Sequence, residues 1–149
     1  MEKMKEIIKK IIEENYNSKI EEDIDFEIRK EKIYFFKKKI KEFYNFLKSK
    51  KLKLNPIGIY FGKIKKNNKI QLSIEGSQYV GKNAKKNVIE INDYKELYEF
   101  LLGKKIELKN VEKHNFPIVK FKDLVICCAA SKENEIESLF PKVARKSIM

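Results

Sequence analysis

Hydrophobic positions along this chain change period several times, and each change marks an element. Met4, Ile7, Ile8, Ile11 and Ile12 recur at the spacing of one helical face, with lysine and glutamate mixed on the other, predicting an amphipathic helix near the start. A helix that lies on a membrane carries a predominantly basic polar face. This one alternates in sign, so its stripe is expected to pack into a core. In IDFEIRK (24–30) and KIYFFK (32–37) the period falls to two, with Ile24, Phe26 and Ile28 alternating with charge. These runs predict antiparallel strands joined by a tight turn. From residue 38 to about residue 50 the helical period returns: Ile40, Phe43, Tyr44 and Leu47 share a face, and Lys37, Lys41 and Lys48 lie elsewhere on the surface. Asn55-Pro56 ends this second helix, because proline disfavours helical geometry in the residue before it.

The segment GIYFGKIKKNNKIQLSI (58–74) reads as two strands around the turn Lys66-Asn67-Asn68-Lys69, since asparagine tolerates left-handed backbone. A hairpin with a lysine-rich tip results. Between Gly76 and Gly81, SQYV predicts one helical turn before the basic GKNAKK. The strand NVIEI then leads into a well-signalled helix. Asp93 is its N-cap with Glu96 three residues on as in a capping box, Tyr94, Leu97, Tyr98 and Leu101 share a face, and Gly103 suits the C-terminal cap. KKIELKNV, FPIVKF and DLVICCAAS read as further strands separated by His114-Asn115 and Lys122-Asp123, with FPKVARKSIM (140–149) as a last one. The pattern as a whole predicts an α+β chain: an α/β unit with an antiparallel sheet over residues 1–86, then a small, mostly β unit with one helix over residues 87–149.

Charge sharpens that division. Residues 32–86 carry sixteen lysines against two acids, Glu42 and Glu75, a formal +14; residues 1–31 stand at −3 and residues 87–149 at +1. The overall +12 is therefore one basic block. Such a surface draws polyanions from a distance and gains affinity by releasing their condensed counterions, so nucleic acid is the first partner to consider and a membrane surface the second. The bases are 32 lysines with only Arg29 and Arg145, a bias that the source genome alone can produce. That bias does not explain the missing acids, because glutamate is plentiful on both sides of the block. Abundant lysine and glutamate also fit a heat-adapted source. A length of 149 residues with 42% apolar composition suffices for a core in one ordinary domain or two very small ones. The longest apolar run, residues 124–130, is too short to cross a bilayer. Mixed charges at the start predict no secretory signal, and a soluble, cytoplasmic protein without a membrane partner is expected.

GIYFGK (58–63) superficially suggests a phosphate-binding loop, but only three residues separate its glycines, Ile64 replaces the metal-binding serine or threonine, and the segment has the pattern of a strand. Glu21, Glu22, Asp23 and Asp25 form an acidic cluster without the glycine-turned loop of a calcium site, so a solvated loop is expected. His114 sits at a turn with no nucleophile or orienting carboxylate beside it in the sequence. Cys127 and Cys128 are adjacent in an apolar strand, which would place their side chains on opposite faces and raise a thiol pKa. With a single histidine and no C-x-x-C pair, a zinc site lacks ligands. The sequence thus predicts no cofactor, no metal and no catalysis. Aromatics interleave with lysine in KIYFFKKKIKEFYNF and IYFGKIKKNNK, as in grooves that combine charge with stacking platforms, although most of these rings lie on apolar faces suited to a core.

The order of segments adds a resemblance. KIYFF, then a helix, then PIGIYFGKIKKNNKIQLSIEGSQYVGKNAKKNV is similar to the ribosome-biogenesis proteins of the Nip-seven family, in their archaeal-type form. In that family a G-x-x-F-G-K strand precedes a hairpin and an A-K segment; the matching positions here are Gly58, Phe61, Gly62 and Lys63, then Tyr79, Ala84 and Lys85. NVIEINDYKELYEFLLGKKI resembles the first strand, helix and glycine turn of the family's C-terminal PUA domain, a small RNA-binding β-barrel. DLVICCAASKE resembles its later strand, with Ala129, Ala130, Ser131 and Lys132, although the bulkier VICC stands where the family has a glycine-containing run. The resemblance implies a non-catalytic RNA-binding factor in large-subunit biogenesis and pre-rRNA processing, nucleolar if the source is eukaryotic. It also implies contacts with other assembly factors and no DNA specificity. RNA contact is implied for the PUA half, at Lys132, Lys142, Arg145 and Lys146. Lys63, Lys65, Lys66, Lys69, Lys82, Lys85 and Lys86 form a secondary basic surface. The alternative is a protein-interaction adaptor of an RNA-processing or RNA-modification complex, its lysines engaging acidic partners.

Overall fold

A computed structural model describes residues 2–54 and 57–139. The break expected at Asn55-Pro56 and the strand expected over FPKVARKSIM lie outside the described residues. Helix α1 (Glu2–Tyr16) is followed by strands β1 (Ile24–Arg29) and β2 (Lys32–Lys37), helix α2 (Lys38–Ser49) and strand β3 (Ile59–Lys65). A 3-10 turn (Lys66–Asn68) joins β3 to β4 (Lys69–Leu72), and helix α3 (Ile74–Gly81) completes the first half. The second half runs β5 (Val88–Ile91), α4 (Tyr94–Leu101), β6 (Ile106–Glu107), β7 (Ile118–Phe121), β8 (Leu124–Lys132) and β9 (Glu135–Ser138). This is an α+β architecture with two sheets.

The first sheet is an antiparallel meander in the order β1-β2-β3-β4. Lys30 and Glu31 both take positive φ, 48° and 71°, so the β1–β2 hairpin turns in the mirror-image geometry that suits strand twist. Asn67 and Asn68, at 61° and 57°, turn the β3–β4 hairpin in the same left-handed region, as asparagine permits. The inward residues Ile24, Phe26, Ile33, Phe61, Ile70 and Leu72 are buried with Ile8, Ile11, Ile12 and Tyr16 of α1 and Val80 of α3. Phe61 sits edge-on to Phe26 and Phe35, at 5.1 and 5.0 Å between ring centres. Gly58 has φ +105°, and a Cβ on Gly62 would lie 2.6 Å from the Gln71 carbonyl oxygen. The backbone of β3 therefore requires both glycines of the G-x-x-F-G-K run, while Phe61 fills the core between them.

The second sheet has the order β5-β7-β8-β9-β6, with β5 parallel to β7 and the other pairs antiparallel. Its two faces enter different cores. Ile118 and Cys128 join the α1 and first-sheet cluster, whereas Val119 and Cys127 join a second cluster with Ile91, Phe100, Phe121, Ala129 and Ile136. The adjacent cysteines thus point oppositely, as a strand dictates. Tyr16 ties the halves together: its fully buried hydroxyl donates to the Phe116 carbonyl at 2.7 Å. Residue 87 is where the first sheet gives way to the second, and the first core draws side chains from both sides of it.

Three elements differ from expectation. SQYV is part of a two-turn helix, α3, because Ser73 caps it by accepting the Gly76 N–H at 2.9 Å and anchors it by donating to the Tyr60 carbonyl at 2.6 Å. KKIELKNV contributes only the two residues of β6. In α2 the apolar face that the periodicity defines is present, yet none of its residues is buried.

Candidate nucleic-acid interface

With the apolar side chains of β1–β4 turned inward, the alternate positions form an outer face whose composition is fixed by register. Arg29 lies opposite Lys32, Lys32 opposite Lys63, and Lys63 opposite Gln71, so one row across all four strands holds three cations. The next row sets Glu27 beside Tyr34 and Tyr34 beside Tyr60. A bulge between Ile33 and Tyr34 brings these tyrosines into register while leaving Phe61 inside.

The aromatic and cationic groups interlock. Tyr34 and Tyr60 stand 5.8 Å apart with planes tilted by 53°, the Arg29 guanidinium carbon lies 3.7 Å from the centre of the Tyr34 ring, and Lys32 Nζ lies 5.7 Å from that of Tyr60. Arg29 Nη2 donates to the Ile57 carbonyl at 2.7 Å, and its buried Nε has no hydrogen-bond partner among the described residues. Burial, reinforced by neighbouring Tyr34, pushes the Tyr60 phenol above its ordinary range, which favours its neutral, hydrogen-bond-donating form. Lys63 pairs with Glu31 at 3.4 Å, with both partners substantially exposed. Exposed pairs of this kind contribute little net stability, so Lys63 can exchange Glu31 for a phosphate at small cost. Lys65 extends the cationic row toward the hairpin tip, where Lys66 is exposed.

The remaining sequence-derived residues are dispersed. Lys69 is turned toward the second half, donating to Asn115 Oδ1 at 2.9 Å. Lys82, Lys85 and Lys86 follow α3, and the backbone N–H groups of Lys85 and Lys86 donate to the Tyr16 carbonyl at the end of α1, on the opposite side of the first sheet. Lys132 is exposed at the end of β8, opposite Glu135. Lys142, Arg145 and Lys146 lie outside the described residues. Sequence reasoning missed Arg29, Lys32, Tyr34 and Tyr60 as a group. Their signal is the phase opposite to Ile24, Phe26 and Ile33, which becomes a surface only once strand pairing is known.

GIYFGK forms part of strand β3 and its approach, not a loop opening a helix. Glu22 is engaged by Lys9 at 2.9 Å, and this hydrogen bond lowers the carboxyl pKa. Among the described residues no three His, Cys, Asp or Glu side chains converge as a metal site. His114 is an exposed turn residue whose N–H donates to the Ser131 carbonyl. Burial pushes the Cys128 thiol up to about 12, which suppresses nucleophilic chemistry there. Among the described residues no helix is long and apolar enough to cross a membrane. No protein-family model matches the chain, and no curated protein matches it.

Proposed function

We propose that this protein is a non-catalytic RNA-binding factor of ribosome assembly. The observation that carries the reading is the outer face of β1–β4, where Tyr34 and Tyr60 are flanked by Arg29, Lys32, Lys63 and Lys65. Lysines and arginine neutralise phosphates, and tyrosine rings offer stacking surfaces to unpaired bases, the combination used for single-stranded segments. The motif resemblance supplies the setting, large-subunit biogenesis and pre-rRNA processing. A five-stranded second sheet with one capped helix supports assigning residues 87–149 to a PUA-like module, with Lys132 on its rim.

The test is RNA affinity against salt, read by anisotropy with an unstructured oligoribonucleotide. Binding is expected to weaken by about 0.7 log units per log unit of salt for each phosphate neutralised. Absence of binding at low salt refutes the reading. Charge reversal at Lys132, Lys142, Arg145 and Lys146 locates the PUA-like contribution; reversal at Lys32, Lys63 and Lys65 locates that of the outer face.

A further inference from the structure

Helix α2 is amphipathic, yet its apolar face meets solvent. Ile40, Phe43 and Phe46 are 50%, 62% and 57% exposed. Beyond the helix, Leu52 and Leu54 are also exposed, as is Ile59 at the start of β3. Large apolar side chains exposed together mark an interaction site more often than chance placement. This one is not flat. Ile40 and Ile59 line a groove of about 610 Å³ together with Ile24, Phe35, Phe36 and Tyr79. A ridge beside an apolar groove is the shape that receives an amphipathic helix from another chain.

Charge decides between occupants. Residues 37–54 hold eight lysines and one acid, Glu42, so the apolar strip is rimmed by cations. A second copy would bring the same cations against it. Residues 140–149 carry three bases and no acid, so they are repelled as well. RNA suits the lysines and the rings of Phe43 and Phe46, but the aliphatic majority of the patch, Ile40, Leu52, Leu54 and Ile59, has no ring for a base to stack on. An anionic bilayer would press on the Glu21 carboxylate, which lines the groove. A bilayer also has no side chain to fill the groove. We infer that α2 and the adjoining groove dock an amphipathic helix of a partner protein, with leucine-type side chains facing the groove and acidic residues facing Lys48, Lys50, Lys51 and Lys53. None of these residues is among Arg29, Lys32, Tyr34, Tyr60, Lys63 and Lys65 of the outer sheet face, so the inference does not depend on RNA binding.

The chain has no tryptophan, so Phe43→Trp places a single reporter on an exposed position of the full-length protein. The probe is a synthetic helix of about fourteen residues, with leucine at i, i+3, i+4 and i+7 and glutamate elsewhere. A blue shift that saturates with a dissociation constant on the order of 100 μM or tighter is expected. Adding Ile40→Ser and Phe46→Ser should weaken it about tenfold, while RNA affinity stays within about twofold of the parent. Four outcomes overturn the inference: no shift, an equal response to a leucine–lysine helix, a shift produced by anionic vesicles but not by the peptide, or a shift that grows with protein concentration alone.

Discussion

Removing one oxygen from Tyr16 should destabilise the whole chain without disturbing its packing. The ring is fully buried in the first core, and its hydroxyl donates to the Phe116 carbonyl at 2.7 Å, with the Ile70 carbonyl 3.3 Å away. Tyr16→Phe keeps the ring and its contacts and deletes only the donor. The Phe116 carbonyl is left with Cys128 Sγ at 3.3 Å, a weak donor. A net hydrogen bond contributes about 1 kcal/mol, and partial desatisfaction of a buried carbonyl adds up to about another, so a loss of about 1–2 kcal/mol is expected. Tyr16→Ala also empties the ring's space and should cost about 3–5 kcal/mol. Urea unfolding followed by circular dichroism is the assay: the phenylalanine variant should shift the midpoint down with the slope unchanged. In a thermal scan the same loss corresponds to roughly 3–6 °C for a chain of this size. An unchanged midpoint would show that the hydroxyl contributes nothing net. A split transition would show that the two halves unfold independently.

Two further perturbations follow from the same core and its turns. The Cys128 thiol is held at about 12 against an ordinary 9.0, so the folded chain keeps a proton that the unfolded chain releases above pH 9. That thiol's contribution is complete below pH 9 and is lost at about 1.4 kcal/mol per pH unit as pH rises toward 12. In Cys128→Ala this loss disappears, while burial still raises the Tyr16 phenol in both proteins. The stability gap between wild type and variant should therefore narrow from pH 9 to pH 11, and parallel profiles would contradict the assignment. At the β1–β2 turn, Lys30 and Glu31 adopt left-handed backbone that asparagine and glycine accept more readily. Lys30→Asn with Glu31→Gly should raise the urea midpoint by an amount equivalent to about 1 kcal/mol, and a lowered midpoint would argue against this turn geometry.

The legible parts of this fold are those where local chemistry and tertiary packing agree. The α1 stripe, the Asn67-Asn68 turn and the Asp93 cap each act within a few residues, and Asp93 indeed accepts the Lys95 N–H at 3.1 Å. Helix α3 was foreshortened in the sequence because Gly76 and Gly81 weaken helix propensity, a deficit offset by the Ser73 anchor and by close packing on β3 and β8. Periodicity identified which α2 residues share a face but carries no information about what covers it. The outer-face tyrosines were hidden for a related reason. Pairing Tyr34 with Tyr60 requires both the register and the bulge at Ile33, which are properties of two strands together.

The basic block that dominates the composition is several surfaces in the structure, and that changes how its charge should act. Lys32, Lys63 and Lys65 lie on the outer sheet face, Lys48 to Lys53 border α2, and Lys85 and Lys86 follow α3 on the side of α1. Long-range attraction sums over all of them, because a field of several cations is felt by a polyanion before contact. Contact energy does not sum, since only groups that touch the RNA slow its release. Reversing Lys85 and Lys86 to glutamate should therefore lower the association rate with RNA, most strongly at low salt, and leave dissociation nearly unchanged. Replacing Tyr34 and Tyr60 with leucine should do the opposite, speeding dissociation by about tenfold or more while association and its salt dependence hold. Stopped-flow fluorescence separates the two rates. If the tyrosine variant releases RNA no faster than wild type, the outer face is a charged wall that bases do not stack upon, and contact must lie on another surface of the chain.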